Sequence, residues 1–562
     1  MKKILASLSL LLLVACGGSK EEKTTPTATN DKAAKSEQIV MDKNQDLNIF
    51  LKSEPKTLDS GRATDSYAAA ILVLSNEGLV GAEIMPDGTE QVVPAGAESW
   101  KVSDDGIVWT FKLRKEAVWA DGKPVKAQDY YYAITRNLNP KVGSTYAFLL
   151  YPIKGAKEFN LSEGTIEDVG VKVIDDYTLE ITLDHPTAYF DQLCYFKTMY
   201  PLREDVVNKY GEGYGAEGNQ IMSNGPYLIK EWVHNSKVVF AKNPKYWNAD
   251  NFKLENITMM IVRDENSQMN LLMNGQIDMG VASKPEWMQQ FKASGEFDNV
   301  RRYELSVNYI TFNTTNEYLK NVKIRKAFML ATDREEVNNV MFDGNFEPAY
   351  GFVSKGIMLG DKEYRSLVPG EIRKLKEENP DPKALLIEGL KELGKDPDPS
   401  KVTITYLSSG TDSWARKYSE FMQQMYKTKL GIDLKAEFVE WPVYQKRNDE
   451  LDYDMGGQGW KADYNDPNTF LDLWMSTAGI VPNGWANPEY DSLIEKAALT
   501  ADNKERLEYF KKAETILLYD EAVISPTLYK VSNNYCRKYV KDYKPTTVAP
   551  YNYKGVYIAG RE

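Results

Sequence analysis

Residues 453–467 combine side chains and backbone freedom that a binding site for a cationic, peptide-like ligand needs. Three glycines within four positions are followed by Trp460 and Asp463. Glycines next to a strand allow another backbone to approach closely. An aromatic face beside a carboxylate offers an ammonium group an apolar wall and a fixed negative charge. The same pattern also fits an ordinary loop with a tryptophan packed over it, so the position of the segment in the fold must separate the two interpretations.

The elements that precede this segment predict that position. Residues 402–406 alternate between two faces, apolar residues recur at helical spacing over 414–425, and residues 432–438 alternate again. A strand, a helix and a strand in this order imply a right-handed crossover in a partly parallel sheet. Ligands of such sheets bind at the carboxyl ends of the strands. Because the next strand, predicted at 453–457, ends just before Trp460, the pattern favours a binding site.

Length and composition restrict the class of protein. A chain of 562 residues is too long for one hydrophobic core, so three or so structural units are expected. Its 42% hydrophobic and 27% charged residues are typical of a globular protein. The net charge of −12 argues against a nucleic-acid partner, whose phosphates require a basic face. It suits neutral or cationic ligands.

The sequence contains no strong signal for a metal, a cofactor or a catalytic triad. Its only histidines, His185 and His234, have no Cys or His at zinc spacing. Residues 389–395 fit Gly-x4-Gly-Lys, but Asp396 replaces the Ser or Thr of a phosphate-binding loop. Carboxylate pairs such as Asp463 and Asp466 leave glycoside hydrolysis open. A lipid-tethered hydrolase is therefore the remote alternative to a binding protein.

The N-terminus predicts export and lipid attachment. Residues 1–16 have a positive start and an apolar run that is too short to span a bilayer, and they end in Leu-Val-Ala-Cys. This ending is similar to the bacterial lipoprotein box, so Cys16 is the expected lipid attachment site. Residues 17–42 lack an apolar period and are expected to form a disordered tether. A disulfide between Cys194 and Cys536 is possible in an exported protein, but sequence alone cannot place the two side chains near each other.

Several blocks of the chain together point to one family. They are SWKVSDDGIVWTFKLRK (99–115), WADGKPV (119–125), SNGPY (223–227) with NPKYW (243–247), VKIRKAF (322–328) with DR (333–334), and GWKADYNDP (459–467). In this order they resemble the bacterial extracellular solute-binding proteins of peptide ABC transporters, specifically the oligopeptide- and dipeptide-binding proteins. The resemblance extends over about residues 47–560.

The resemblance implies a fold and a function. The fold is α/β and periplasmic-binding-protein-like (cluster C type): a three-domain, two-lobed flytrap with mixed sheets. The implied domains are 43–76, 204–302 and 532–562 for domain I, 77–203 for domain II and 303–531 for domain III. The implied function is capture of oligopeptides for the permease subunits of an ABC importer, without catalysis, by a monomer anchored in the cell envelope. Dipeptides, glutathione or another small solute remain alternative ligands.

The resemblance also implies which residues bind the ligand. Asp463 would hold the peptide ammonium, with Trp460 beside it, the backbone carbonyl of Lys461 as a second acceptor, and Tyr146 reaching across. Trp441 and Tyr309 would be walls of side-chain pockets. The segments expected to pair with the peptide backbone are Thr64, Asp65 and Ser66; Val281, Ala282 and Ser283; and Gly457 to Gly459.

Two departures from the family pattern affect these expectations. Relatives can carry a disulfide where this chain has Ser306 and Lys461. Gly457 and Met341 stand where an Arg and a Lys would be expected to hold the peptide carboxylate. The sequence therefore leaves open how the carboxyl end of a ligand is bound and how long the ligand is.

Overall fold

A seven-stranded mixed sheet carries the candidate site. The computed structural model describes residues 40–63, 65–85, 90–144, 146–411, 413–476, 478, 481–546 and 551–562. One of its strands, Glu347–Pro348, is short and pairs with strand Ile524–Arg537. In spatial order the other six are Met279–Ala282, Ile524–Arg537, Phe297–Phe312, Met455–Lys461, Thr405–Ser409 and Lys435–Val439.

The predicted strand–helix–strand unit with two parallel strands is confirmed, although its first strand is Thr405–Ser409 rather than 402–406. Thr405–Ser409 and Lys435–Val439 are parallel, and helix Ser413–Leu430 joins them. Met455–Lys461 is parallel to the first of these strands and antiparallel to Phe297–Phe312.

The prediction that the next strand spans 453–457 is wrong, because the strand runs from Met455 to Lys461 and contains the three glycines. Tyrosine hydroxyls from neighbouring elements explain two of them. A Cβ atom on Gly456 would lie 2.7 Å from the hydroxyl oxygen of Tyr444, and one on Gly457 would overlap the hydroxyl of Tyr406.

Three groups of buried apolar residues surround the sheets. The N-terminal core draws mainly on residues 47–74, 200–279 and 536–558. The middle core draws on residues 79–199. The C-terminal core packs on both faces of the seven-stranded sheet, with residues between 305 and 529. Because side chains alternate along a strand, Val307 and Tyr309 enter one of its layers and Ile310 and Phe312 the other.

Two long strands run from the N-terminal part of the molecule into the C-terminal core. Phe297–Phe312 has 16 residues and Ile524–Arg537 has 14, and they pair antiparallel from one end to the other. Their register shifts between Tyr303 and Val307, where Leu305 adopts a positive φ of 49°. The pair is thus one continuous ribbon with a bulge near its middle.

Smaller sheets and helices complete the architecture. The N-terminal core contains the sheet Asp46–Leu51, Asn256–Ile261, Lys237–Lys242 and Tyr227–Val233, and the middle core contains Ala97–Val102, Val108–Leu113, Thr178–Thr182 and Val171–Asp175. Two-stranded pairs are Val80–Ile84 with Glu90–Pro94, Met358–Leu359 with Lys362–Glu363, and Val540–Lys541 with Tyr557–Ile558. The other α-helices are Ser66–Ser75, Ala127–Leu138, Ala156–Asn160, Phe190–Leu193, Glu204–Tyr210, Glu265–Met273, Pro285–Ser294, Val322–Ala331, Arg334–Phe342, Tyr364–Leu367, Glu371–Glu378, Pro382–Glu392, Trp441–Asp449, Asn468–Leu471, Pro488–Ala498 and Asn503–Glu514.

The cysteines and the described helices bear on the predicted disulfide and the predicted membrane attachment. Cys194 and Cys536 are both buried free thiols, so the disulfide between them that the sequence left open is not formed. Cys16 and the expected tether up to residue 39 lie outside the described residues. Within the described ranges, no helix has both the length and the apolar character needed to span a membrane.

Candidate ligand-binding site

Asp463 lies just beyond strand Met455–Lys461 and has a half-buried side chain. Its backbone N–H donates a hydrogen bond to Oγ1 of Thr469 at 3.2 Å. Among the described residues its carboxylate has no hydrogen-bond donor and no cation within 4.0 Å. Burial raises the pKa of Asp463 to about 6, and the positive charge of Lys197 opposes this shift. The loop therefore holds a carboxylate without a partner among the residues that the structure describes.

Thr469 fixes the shape of this loop, and no sequence pattern had indicated it. It lies in the short helix Asn468–Leu471 and is buried. The hydroxyl of Thr469 accepts the hydrogen bond from Asp463. Its carbonyl oxygen accepts a second hydrogen bond, from Nε1 of Trp460 at 2.7 Å. Trp460 is partly buried against the C-terminal core. The indole thus anchors the loop to its own core, and one residue sets the spacing between Trp460 and Asp463.

Side chains of the middle core face Asp463. Burial raises the pKa of Tyr146, and the negative charges of Asp463 and Asp65 add to the shift. Lys197 is only 6% exposed. Its Nζ atom lies 4.4 Å from the ring centroid of Tyr146 and 4.3 Å from that of Phe196. The structure therefore places Tyr146 next to Lys197, which the sequence analysis missed because no motif marks it.

The glycine-rich strand has one free edge next to this group. Residues 455–461 pair along their whole length with Phe297–Phe312, from Phe312 opposite Met455 to Ser306 opposite Lys461. On the other side, the parallel ladder with Thr405–Ser409 contains only Met455 and Gly456. Among the described strands, nothing pairs with that edge beyond Gly456. The side chain of Tyr444 does reach it, because its hydroxyl donates to the carbonyl oxygen of Gly457 at 2.8 Å.

The second predicted backbone segment also lies at a sheet edge. Met279–Ala282 is an outer strand of the seven-stranded sheet, with Val281 opposite Asn534 and Ala282 opposite Asn533. Ser283 differs from the expectation, because Glu265 already accepts hydrogen bonds from its backbone N–H at 2.9 Å and its hydroxyl at 2.7 Å. Its backbone N–H is thus already used within the protein.

The third predicted segment lies at the start of helix Ser66–Ser75. Asp65 is the N-cap residue, and its Oδ1 atom accepts a hydrogen bond from the backbone N–H of Ala68 at 2.8 Å. Ser66 is exposed, whereas Thr64 lies outside the described residues. The helix cap therefore fixes the side chain of Asp65, whose negative charge raises the pKa values of Tyr146 and Lys197.

The two residues predicted to be pocket walls are Tyr309 and Trp441, and the structure describes the side chain of Tyr309 alone of the two. Tyr309 is 2% exposed, and its ring packs edge-on against Phe352 and Trp474 inside the C-terminal core. Its backbone is opposite Gln458 in the strand pairing, and its hydroxyl lies 3.3 Å from Oε1 of the same residue. Trp441 is the first residue of helix Trp441–Asp449, and its side chain is outside the described part of the structure.

A clasp joins the loop of Asp463 to the middle core. Tyr464 is buried within the middle core, where its ring stacks on Tyr189 with centroids 4.3 Å apart. Nε2 of Gln192 donates to the carbonyl oxygen of Asn465 at 3.1 Å. The backbone N–H of Asn465 in turn donates to Oε1 of Gln192 at 2.7 Å. The residues next to Asp463 are therefore held by the opposite core.

Buried carboxyls lie behind this loop. Asp466 accepts two hydrogen bonds from the guanidinium of Arg506, at 2.7 and 2.8 Å. Burial raises the pKa of Asp472 to about 8, and the negative charges of Asp463 and Asp466 add to the shift. Asp472 is therefore mostly protonated at neutral pH, which removes a negative charge behind Asp463. The described residues contain no cluster of three His, Cys, Asp or Glu side chains suited to a metal ion.

Comparison with known proteins identifies the family. The model for bacterial extracellular solute-binding proteins, family 5 Middle, matches residues 91–481. The oligopeptide-binding protein OppA of Bacillus subtilis is 33% identical over 522 residues, which cover 92% of this chain and 90% of that protein. The chain belongs to family 5 of the bacterial extracellular solute-binding proteins.

Solved structures agree with this assignment. Listeria monocytogenes OppA bound to peptide is 32% identical, with a TM-score of 0.73 and coverage of 92% of this chain and 99% of the other. The unliganded open form of the murein tripeptide-binding protein MppA gives a TM-score of 0.76 at 27% identity, with coverage of 93% and 99%. The mixed α/β architecture is thus the two-lobed periplasmic-binding fold.

Proposed function

We propose that the protein is the substrate-binding component of an ABC importer, which captures oligopeptides in the interlobe cleft and delivers them to the permease. Relatives named for oligopeptide binding, and a similar structure bound to peptide, support this function. The free edge of residues 457–461 supports a mode in which the peptide adds as an extended strand. Because main-chain hydrogen bonds ignore side-chain identity, this mode accommodates many peptide sequences.

The observation that carries the proposal is the unpaired carboxylate of Asp463. A half-buried charge without a partner is costly, and a peptide ammonium would supply both a counter-charge and hydrogen-bond donors. The attraction strengthens when the lobes close and water leaves the cleft. The ligand end would thus be set by Asp463, with Tyr146 across the cleft and the carbonyl oxygen of Lys461 as a second acceptor.

Substitution of Asp463 tests this function. We expect Asp463→Asn to weaken the binding of tetraalanine at least about tenfold, because the bound ammonium would lose its buried counter-charge. The melting temperature should change little, since no described donor depends on that carboxylate. The measurement is titration calorimetry, with Asp298→Asn, an exposed aspartate, as the matched control. An unchanged dissociation constant for Asp463→Asn would count against the proposal.

The proposal also includes three domains, a lipid anchor and the lack of catalytic activity. The separate cores support three domains with the boundaries expected from sequence, namely 43–76 with 204–302 and 532–562, 77–203, and 303–531. The lipoprotein-like N-terminus supports attachment to the envelope by a lipid on Cys16, and the protein would act there as a monomer. The protein would have no catalytic activity of its own. Incubated peptides should be recovered intact, and their cleavage by the purified protein would favour the hydrolase alternative.

A further inference from the structure

A cavity of about 230 Å³ adjoins the candidate ammonium site and has a positive lining. One face of helix Ser66–Ser75 and several aromatic rings form most of its wall. Its charged lining residues are Lys197, Arg302 and Lys461, and none of the described residues that line it is acidic. Since one water occupies about 30 Å³ in the liquid, the space exceeds what one or two waters need.

Lys197 is the most buried of these cations. Its ammonium lies over the rings of Tyr146 and Phe196, and burial lowers the pKa of Lys197 to about 8. Asp65 and Asp463 oppose this shift, yet no carboxylate of the described residues comes within 4.0 Å of its Nζ atom. Cation–π contacts compensate only part of the lost hydration of an ammonium. Lys197 therefore has unused capacity for an anionic partner.

Lys461 adds to the positive potential of this cavity. Its side chain is exposed to the cleft, and none of the described carboxylates forms an ion pair with it. Crowding by protein atoms lowers the pKa of Lys461; Glu304 opposes the shift, whereas Arg302 and Lys530 add to it. The positive charges of Arg302 and Lys530 thus influence Lys461, and an anion beside Lys461 would offset this repulsion.

We propose that this cavity binds the side-chain carboxylate of an acidic residue at or next to the amino end of the peptide, with Lys197 as its main partner. The inference rests on the proposed function, because the ammonium at Asp463 would set the ligand end. Lys461, two residues before Asp463, lines the cavity together with Lys197, and the negative charge of Asp463 opposes the lowering of the Lys197 pKa. A ligand with an ammonium and a nearby carboxylate would satisfy both. The ligand class becomes peptides that are acidic near the amino end.

Matched peptides test the preference. The wild-type protein is titrated with Glu-Ala-Ala-Ala, Gln-Ala-Ala-Ala, Ala-Glu-Ala-Ala, Ala-Gln-Ala-Ala and tetraalanine. Hydrogen bonds to charged groups are worth more than those to neutral ones, so at least one Glu peptide should bind about tenfold more tightly than its Gln counterpart. Equal affinities within both pairs would overturn the inference.

Variants then locate the effect. We expect the Glu preference to disappear in Lys197→Met and to remain in Lys154→Met, an exposed lysine of the same lobe. If Lys197→Met does not fold, the exposed Lys461→Met serves instead and should reduce the preference about threefold. A preference that persists in the folded Lys197→Met protein, or that is undiminished in Lys461→Met used in its place, would overturn the assignment to this cavity.

The outcomes separate this inference from the proposed function. If tetraalanine binds and Asp463→Asn weakens it, while Glu and Gln peptides bind equally, the function stands and the acidic preference fails. If none of the peptides binds, both fail.

Discussion

Asp463 and Lys197 form a pair of opposite charges that are close enough to shift each other's pKa but do not form an ion pair. A direct pair would leave little for a ligand to gain, because a charged guest would first have to break it. Here neither Asp463 nor Lys197 has an ion-pair partner among the described residues. A zwitterionic ligand can therefore stabilise both charges without displacing either.

The pKa of Asp463 predicts how peptide affinity depends on pH. The ammonium of a peptide needs the ionised carboxylate, and burial has raised the pKa of Asp463 to about 6 in the ligand-free protein. Binding then takes place with release of a proton below this value, so affinity should fall by up to about tenfold for each pH unit below 6. Titration calorimetry from pH 5 to pH 8 measures the effect.

Other groups near the loop provide the controls for this experiment. The pKa of Asp191 is also raised to about 6, by burial, so Asp191→Asn tests whether that residue contributes. Lys197 and Asp472 have pKa values of about 8 and titrate well above pH 6, so they do not account for a fall in affinity below pH 6. In Asp463→Asn the dependence below pH 6 should vanish. A wild-type affinity that is constant from pH 5 to pH 8 would contradict the ionised-carboxylate mechanism.

Residues with a local motif could be predicted from the sequence, and those defined by distant contacts could not. Asp463 stands out because glycines and a tryptophan precede it. Thr469 and Lys197 have no such marking, since one acts through a backbone carbonyl and a hydroxyl and the other through its burial among aromatic rings. Tyr309 looked like a wall residue, but its position in the alternation of strand Phe297–Phe312 directs its ring into the core.

At the scale of elements, the strand–helix–strand crossover was predictable from the spacing of its apolar residues. They recur at every second position, then at helical spacing, and then at every second position again. The extent of strand Met455–Lys461 was not predictable. Glycines normally weaken a strand, but here the hydroxyl groups of Tyr406 and Tyr444 occupy the space of the missing side chains. Those tyrosines come from other elements, so no pattern within the strand could reveal them.

This packing predicts the effect of a side chain at Gly457. We expect Gly457→Ala to lower the free energy of unfolding by about 1–3 kcal/mol, because the new methyl group would overlap the hydroxyl of Tyr406. Adding Tyr406→Phe should recover much of the loss. Gly459→Ala is the matched control, since its nearest neighbour is the flexible side chain of Asn308 at 3.1 Å. Urea denaturation measures all four proteins, and equal stability of the two alanine variants would contradict the steric explanation.

The clasp between the loop and the middle core predicts the effect of Gln192. Gln192→Ala removes two hydrogen bonds to the backbone of Asn465, which should weaken the closed state by about 1–3 kcal/mol. We expect faster peptide dissociation and a larger radius of gyration of the ligand-free protein in small-angle X-ray scattering. Gln276→Ala, on the surface, is the control. If Gln192→Ala leaves both quantities unchanged, the clasp does not contribute to closure.

At the scale of the whole molecule, the family and the two-lobed fold could be predicted because the resembling blocks are distributed over the entire chain. The arrangement of side chains in the cleft depends on how the lobes meet, and it could not. The stacking of Tyr464 on Tyr189 joins residues that are far apart in sequence and belong to different elements. Such contacts leave no periodic pattern in either segment.

The location of the molecule depends on Cys16. If this residue is acylated, Cys16→Ser should release the protein from the membrane fraction of the producing cells, because a lipid chain is then the only attachment that the sequence predicts. Ser19→Ala, in the expected tether, is the control. The measurement is immunoblotting of fractionated cells. Retention of Cys16→Ser in the membrane fraction would argue against lipid anchoring.

The ribbon formed by Phe297–Phe312 and Ile524–Arg537 has a consequence for the order in which a peptide leaves. Strands that are hydrogen-bonded along their length can bend and twist together but cannot slide, and we expect the bending to concentrate at the bulge around Leu305. Ala462 donates its N–H to the carbonyl oxygen of Leu305 at 2.9 Å, so Asp463 sits almost on this pivot. Residues on a hinge axis move least when the two lobes open. The amino end would therefore be gripped longest, and the peptide would peel out from its far end.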